Sequence, residues 1–117
     1  MQLLVIILNK AEYLDELLEG FLELEIRGAT VLDSQGMGSI ITQDVPVFAG
    51  LKDLLKGGRP GNKTILSLVE DHQVELVVEL FEDILGELTS AGNGIIFTLP
   101  VSSSFGTGTK GSSPEKK

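Results

Sequence analysis

Leu3-Leu4-Val5-Ile6-Ile7-Leu8 is an unbroken apolar run, closed by Asn9. A run this short, rich in branched side chains, predicts a strand buried on both faces. Leu3, Val5 and Ile7 then point one way, and Leu4, Ile6 and Leu8 the other. Outward from this strand the chain states one pattern twice. Residues 12–25 carry Leu14, Leu17, Leu18, Phe21 and Leu22 at helical spacing, and residues 29–34 form a short strand. The second copy has a strand at 63–69, then Val74, Val77, Val78, Phe81, Ile84, Leu85 and Leu88 as a helical stripe within 72–88, then a strand at 95–101.

The boundaries carry their own signals. Asn9, Lys10, Ala11 and Glu12 have the spacing of a capping box. Arg27-Gly28 is the expected stop of the first helix, because glycine takes a left-handed turn at little cost. Asp71 is placed to cap the second helix. Gly92-Asn93-Gly94 reads as a tight turn into the last strand, which Pro100 closes.

Strand–helix–strand twice in a chain this short predicts an α+β fold, the ferredoxin-like βαββαβ sandwich. Its four-stranded antiparallel sheet has two helices on one face. A doubly wound sheet is excluded, since two helices cannot cover both of its faces. One domain is expected over residues 1–101, interrupted by a long segment at 36–62. Residues 102–117, mostly Ser, Gly, Thr and Lys, read as a mobile tail.

The apolar strands create a packing problem. Two helices hide one set of side chains. The other set leaves a patch beyond the ~300–600 Å² typical of a monomer's largest. Further copies of the chain are the expected cover, through the bare sheet face. The rival is a central segment folded back over that face.

Composition narrows the function. The chain has 117 residues, 42% hydrophobic and 22% charged, as in an ordinary globular domain. A formal charge of −8 and a pI near 4.5 argue against nucleic acid, which wants a basic stripe. The first helix alone carries Glu12, Asp15, Glu16, Glu19, Glu23 and Glu25, most simply a solvated face. With no cysteine, disulfides and thiolate metal sites are excluded. The opening apolar run lacks a basic flank and is too short to span a bilayer, so membrane insertion is not expected and cytoplasmic residence is the default.

Catalytic constellations are missing. His72 is the one histidine, and a lone histidine with scattered carboxylates does not make a metal site. A solvent-facing place in the first turn of its helix is the plainer reading. No Ser–His–Asp arrangement has sequence support. Arg27 and Arg59 do not sit where an acylphosphatase-like site would need its anion clamp. The chain is expected not to be an enzyme.

A connection as long as 36–62 inside a compact domain is usually functional. It opens Gly36-Met37-Gly38 and ends near Gly57-Gly58-Arg59-Pro60-Gly61. Val47, Phe48, Leu51, Leu54 and Leu55 fall at helical spacing after Pro46, beside Lys52, Lys56, Arg59 and Lys63. That stripe has three readings: docking on the protein's own assembly, insertion into a partner groove, or contact with a membrane surface, for which its length and weak basic face argue poorly.

Three stretches resemble one family in register. Residues 28–38, Gly28-Ala29-Thr30-Val31-Leu32-Asp33-Ser34-Gln35-Gly36-Met37-Gly38, resemble the strand entering the long T-loop of the P-II nitrogen-regulatory signal proteins. Residues 64–74 are similar to that family's third strand and second helix start. Residues 92–101 are similar to its glycine-turn strand. The resemblance implies a ferredoxin-like subunit, a homotrimer closed through its sheets, and adenine-nucleotide sites in the clefts between subunits. It also implies signalling, not catalysis, with the T-loop pressing on a partner such as a transporter or an enzyme.

Carried over by position, the implied ligand residues are Thr30, Gly36, Met37, Gly38, Gly92, Asn93 and Gly94. Glycine suits the role, since it lets backbone N–H groups approach phosphate oxygens. The same glycines also suit plain turns. The sequence departs from the family at several of its charged positions. Ile95 stands where the family has a phosphate-binding lysine, and Asn93 replaces an aspartate. Ser39-Ile40 replace an Arg-Gln pair, and Gly106 and Gly108 fall where arginines are supplied. Tyr13, the one tyrosine, lies in the first helix, so tyrosine modification of the loop is not expected. Two expectations stay open: the cleft takes a small anion or an adenine nucleotide (AMP, ADP or ATP), or the trimer is a ligand-independent interaction scaffold.

Overall fold

The computed structural model of the chain describes residues 1–37, 61–89 and 92–106. Strand β1 (Gln2–Leu8) leads through a 3-10 turn (Ala11–Tyr13) into helix α1 (Leu14–Glu23), then β2 (Thr30–Ser34). Strand β3 (Asn62–Val69), helix α2 (Asp71–Leu85) and β4 (Gly94–Pro100) repeat the unit. The sheet order is β2-β3-β1-β4, with β1 antiparallel to both neighbours and β2 antiparallel to β3. This is the α+β arrangement that the doubled pattern predicts, a four-stranded antiparallel sheet with two helices. The apolar stripe expected at 47–55 and the tail beyond 106 lie outside the described residues.

The two-sided character of β1 is resolved by depth. Leu4, Ile6 and Leu8 have no exposed surface and meet Leu17, Phe21, Val77 and Phe81 from the helices. Ile65 and Val69 extend this row along β3. Ser67 shares the buried row, and its hydroxyl is satisfied by the Gly28 carbonyl at 2.6 Å. The helices approach closely at Gly20. A Cβ there would fall 2.5 Å from Leu80 Cδ1, so the missing side chain admits Leu80.

Four helix boundaries resolve differently from the sequence reading. Asn9 and Glu12 do not form a capping box, and Lys10 occupies the cap position without a side-chain bond. The Asn9 side chain instead accepts from Asn62 at the start of β3, and its main-chain N–H donates to the Asn93 carbonyl. Helix α1 ends before Gly28, in a 6→1 and 5→2 bond pair: Ile26 N–H to Phe21 O at 2.8 Å and Glu25 N–H to Leu22 O at 3.0 Å. Glu25, not glycine, takes the left-handed position, with φ +66°. Buried Ile26 joins Phe21 in the core and holds the turn there.

Helix α2 starts from Glu70 as its cap, with Asp71 as the first helical residue. The Gln73 side chain joins both helix ends. It accepts from the Glu70 N–H at 2.8 Å and donates to the Leu24 carbonyl at 3.2 Å. Helix α2 closes at Leu85, three residues short of the apolar stripe's last member, because Gly86 leaves the helix at φ +98°.

Candidate functional site

The sheet face away from the core is apolar over three strands. Register sets Leu68, Leu3 and Leu99 in one row, Leu66, Val5 and Phe97 in the next, and Thr64, Ile7 and Ile95 in a third. Strand β2 adds Thr30 to the middle row and Leu32 to the third. Ile95 is 56% exposed, Phe97 44% and Leu99 45%, on side chains that would normally be hidden. Fully burying a Leu, Ile or Phe side chain contributes roughly 1.5–3 kcal/mol, so five half-exposed ones (with Leu68 and Leu32) leave several kcal/mol available to whatever covers them. Among the described residues neither helix packs on this side.

The residues picked from the sequence occupy both edges of that sheet. Gly94 begins β4 opposite Leu8, and Leu8 lies opposite Lys63, which lies opposite Asp33. The glycine turn and the segment leaving β2 at Gly36 and Met37 therefore share one end of the sheet, on opposite edges. Three strand spacings, about 14 Å, separate those edges. Thr30 is four residues back along β2, in the middle row with Leu66. Within one subunit the glycine turn does not meet Thr30. Gly38 lies outside the described residues.

The turn itself has an internal role. Gly94, at φ +150°, sits so close to β1 that a Cβ would lie 2.3 Å from the Ile7 carbonyl oxygen. Asn93 is 4% exposed, and its amide nitrogen donates to the Leu85 and Glu87 carbonyls, each at 3.1 Å. It thereby satisfies carbonyls freed where α2 ends. Gly92 is different: its φ is +93°, and among the described residues nothing lies within 4 Å of a Cβ placed there. At Gly36, among the described residues, a Cβ would meet Asn62 Nδ2 alone, at 3.8 Å. Met37 is 75% exposed. The side chain that follows the turn, Ile95, offers a ligand no charge.

Thr30 lines a depression of about 680 Å³ together with Leu3, Leu66, Leu68, Arg27 and Glu70. Arg27 is a lining residue that sequence reasoning does not single out as a ligand. Its one signal is position, three residues before Thr30 in the loop entering β2. A second depression, of about 760 Å³, lies by the start of the long connection and includes Asp33, Ser34, Gly61, Asn62 and Lys63. The Lys63 ammonium is paired there with the Asp33 carboxylate. His72 is exposed in the first turn of α2, and among the described residues no group of carboxylates and histidine is arranged to hold a metal.

Among the described residues, fold and site together define a small α+β sandwich whose outer sheet face neither helix covers, with glycines at the loops of one end. The family model for the nitrogen regulatory protein P-II matches residues 1–109, and the chain belongs to that family. No curated protein matches the sequence. Family membership makes this a regulatory signalling protein, in a family of regulators rather than enzymes. Among the described residues no helix is long and apolar enough to cross a membrane.

Proposed function

We propose that this P-II family member works as a cytoplasmic homotrimer joined through the bare sheet faces. Clefts between subunits take a small anion or an adenine nucleotide (AMP, ADP or ATP). Residues 1–101 form the working domain, residues 36–62 press on a regulated protein such as a transporter or an enzyme, and 102–117 trail as a tail. The subunit catalyses no reaction.

One observation carries this reading. Thr30 and the glycine turn occupy opposite parts of a sheet whose apolar face has no cover from the helices. Two subunits packed through such faces can bring Thr30 of one toward Gly92, Asn93 and Gly94 of the next, with Gly36, Met37 and Gly38 at the rim. A single subunit cannot.

A second reading, a trimer that binds partners without sensing a ligand, draws support from the turn. Asn93 and Gly94 are both needed for packing inside the subunit, and Ile95 brings apolar surface where an anion would need charge. Isothermal calorimetry against AMP, ADP and ATP separates the two. Gly36→Val is the variant of choice, because Gly36 has room for a side chain and Gly94 has none. Micromolar binding that weakens in Gly36→Val is the expected result. No heat with any of the three nucleotides favours the scaffold and refutes sensing of adenine nucleotides.

A further inference from the structure

A continuous series of hydrogen bonds crosses the loop-bearing end of the sheet. The Ser34 hydroxyl donates to Asn62 Oδ1 and is 2.7 Å from the Thr64 hydroxyl. Asn62 Nδ2 donates to Asn9 Oδ1 at 3.3 Å. The Asn9 main-chain N–H donates to the Asn93 carbonyl at 3.1 Å. Asn93 Nδ2 then donates to the carbonyls that end α2. Every strand contributes a residue at or beside its end: β2 through Ser34, β3 through Asn62, β1 through Asn9 and β4 through Asn93.

We propose that the Asn9–Asn62 amide contact ties the mouth of the long connection, where β2 ends and β3 begins, to the glycine turn, so that the two open and close as one unit. The device belongs to the subunit itself and depends on neither ligand nor trimer. Its logic is the position of Asn9. Its side chain holds the β3 side while its backbone holds the turn, so a single residue carries both bonds. Strand pairing already joins β2 to β3, β3 to β1 and β1 to β4, and the β1–β3 ladder ends at Leu8 opposite Lys63, one residue short of Asn9 and Asn62. Asn9 and Asn62 supply the link past the last rung.

Amide hydrogen exchange on the full chain tests this. Asn62→Ala removes the donor to Asn9 and leaves the Ser34 hydroxyl the main-chain carbonyl of residue 62 at 3.3 Å and the Thr64 hydroxyl. Asn9→Asp keeps the acceptor that Asn62 uses and serves as the conservative control. In Asn62→Ala, exchange should quicken about fivefold, as loss of one such bond implies, both at residues 33–36 and at the Asn9 amide. The core amides of Ile6 and Ile65 should not change, and Asn9→Asp should behave as the parent. Asn9→Ala breaks the same contact from the other side and must quicken residues 33–36. An unchanged Asn9 amide in Asn62→Ala, unchanged 33–36 amides in Asn9→Ala, or equal acceleration at the core amides would each overturn the proposal.

Discussion

Glu25 is the non-glycine residue with positive φ among those described, and the helix stop depends on it. A left-handed L-residue costs about 1–2 kcal/mol. Glycine removes that cost but loses about 0.5–1 kcal/mol in chain entropy. Glu25→Gly should therefore stabilise the fold by about 0.5–1 kcal/mol, read as a higher urea midpoint with an unchanged slope; a lower midpoint contradicts it. Asp71 allows a pH prediction. Its carboxyl is held below the ordinary value of 3.8, first by the bond from Gln2 Nε2 (3.1 Å), then by the Met1 ammonium (3.3 Å). A depressed carboxyl stabilises the fold above its unfolded pKa and loses that contribution as pH falls through the folded value. The group is exposed, so the effect is small. The urea-midpoint gap between the parent and Asp71→Asn should be constant at neutral pH and shrink as pH drops below 3.8. Residue-scale roles were the least legible in the sequence. Asn93 was readable as part of a turn. Its use as a cap for the end of α2 depends on a fold-back that no local spacing encodes.

Helices α1 and α2 meet where Gly20 lets Leu80 in, and this contact sets how closely the two helices approach each other. Gly20→Ala gains about 1 kcal/mol of helix propensity and loses about 1–3 kcal/mol to overpacking. A net loss of about 1 kcal/mol should appear in thermal denaturation, and Leu80→Val in the same chain should recover part of it. A gain in stability from Gly20→Ala alone would mean the helices are freer to separate than their contact implies. Element types and order were legible because the periods are clean: the run at 3–8, and the stripes beginning at Leu14 and Val74. The ends were less so. Apolar spacing continues to Leu88, but Gly86 breaks the helix before it. Asn9 has the chemistry of a cap, yet Asn62 at the start of β3 takes its side-chain oxygen in place of the first helical turn.

At the scale of the whole molecule, the sheet was predictable as a surface before it was known as a structure. Alternation in β1 and β4 requires a second apolar face, and register now lines Leu3, Val5 and Ile7 up with Leu99, Phe97 and Ile95. The candidate ligand residues were legible only through family resemblance, because glycines, one threonine, one methionine and one asparagine at turns and strand ends fit plain loops as well as a ligand site. Their division between the two edges is a product of topology. Sedimentation equilibrium on the full chain at low micromolar concentration, with Phe97→Arg alongside, tests the proposed trimer most directly. The account predicts three times the 12.5 kDa chain mass for the parent, and a smaller, still folded species for Phe97→Arg. A parent that sediments near 12.5 kDa with a native circular dichroism spectrum would contradict it.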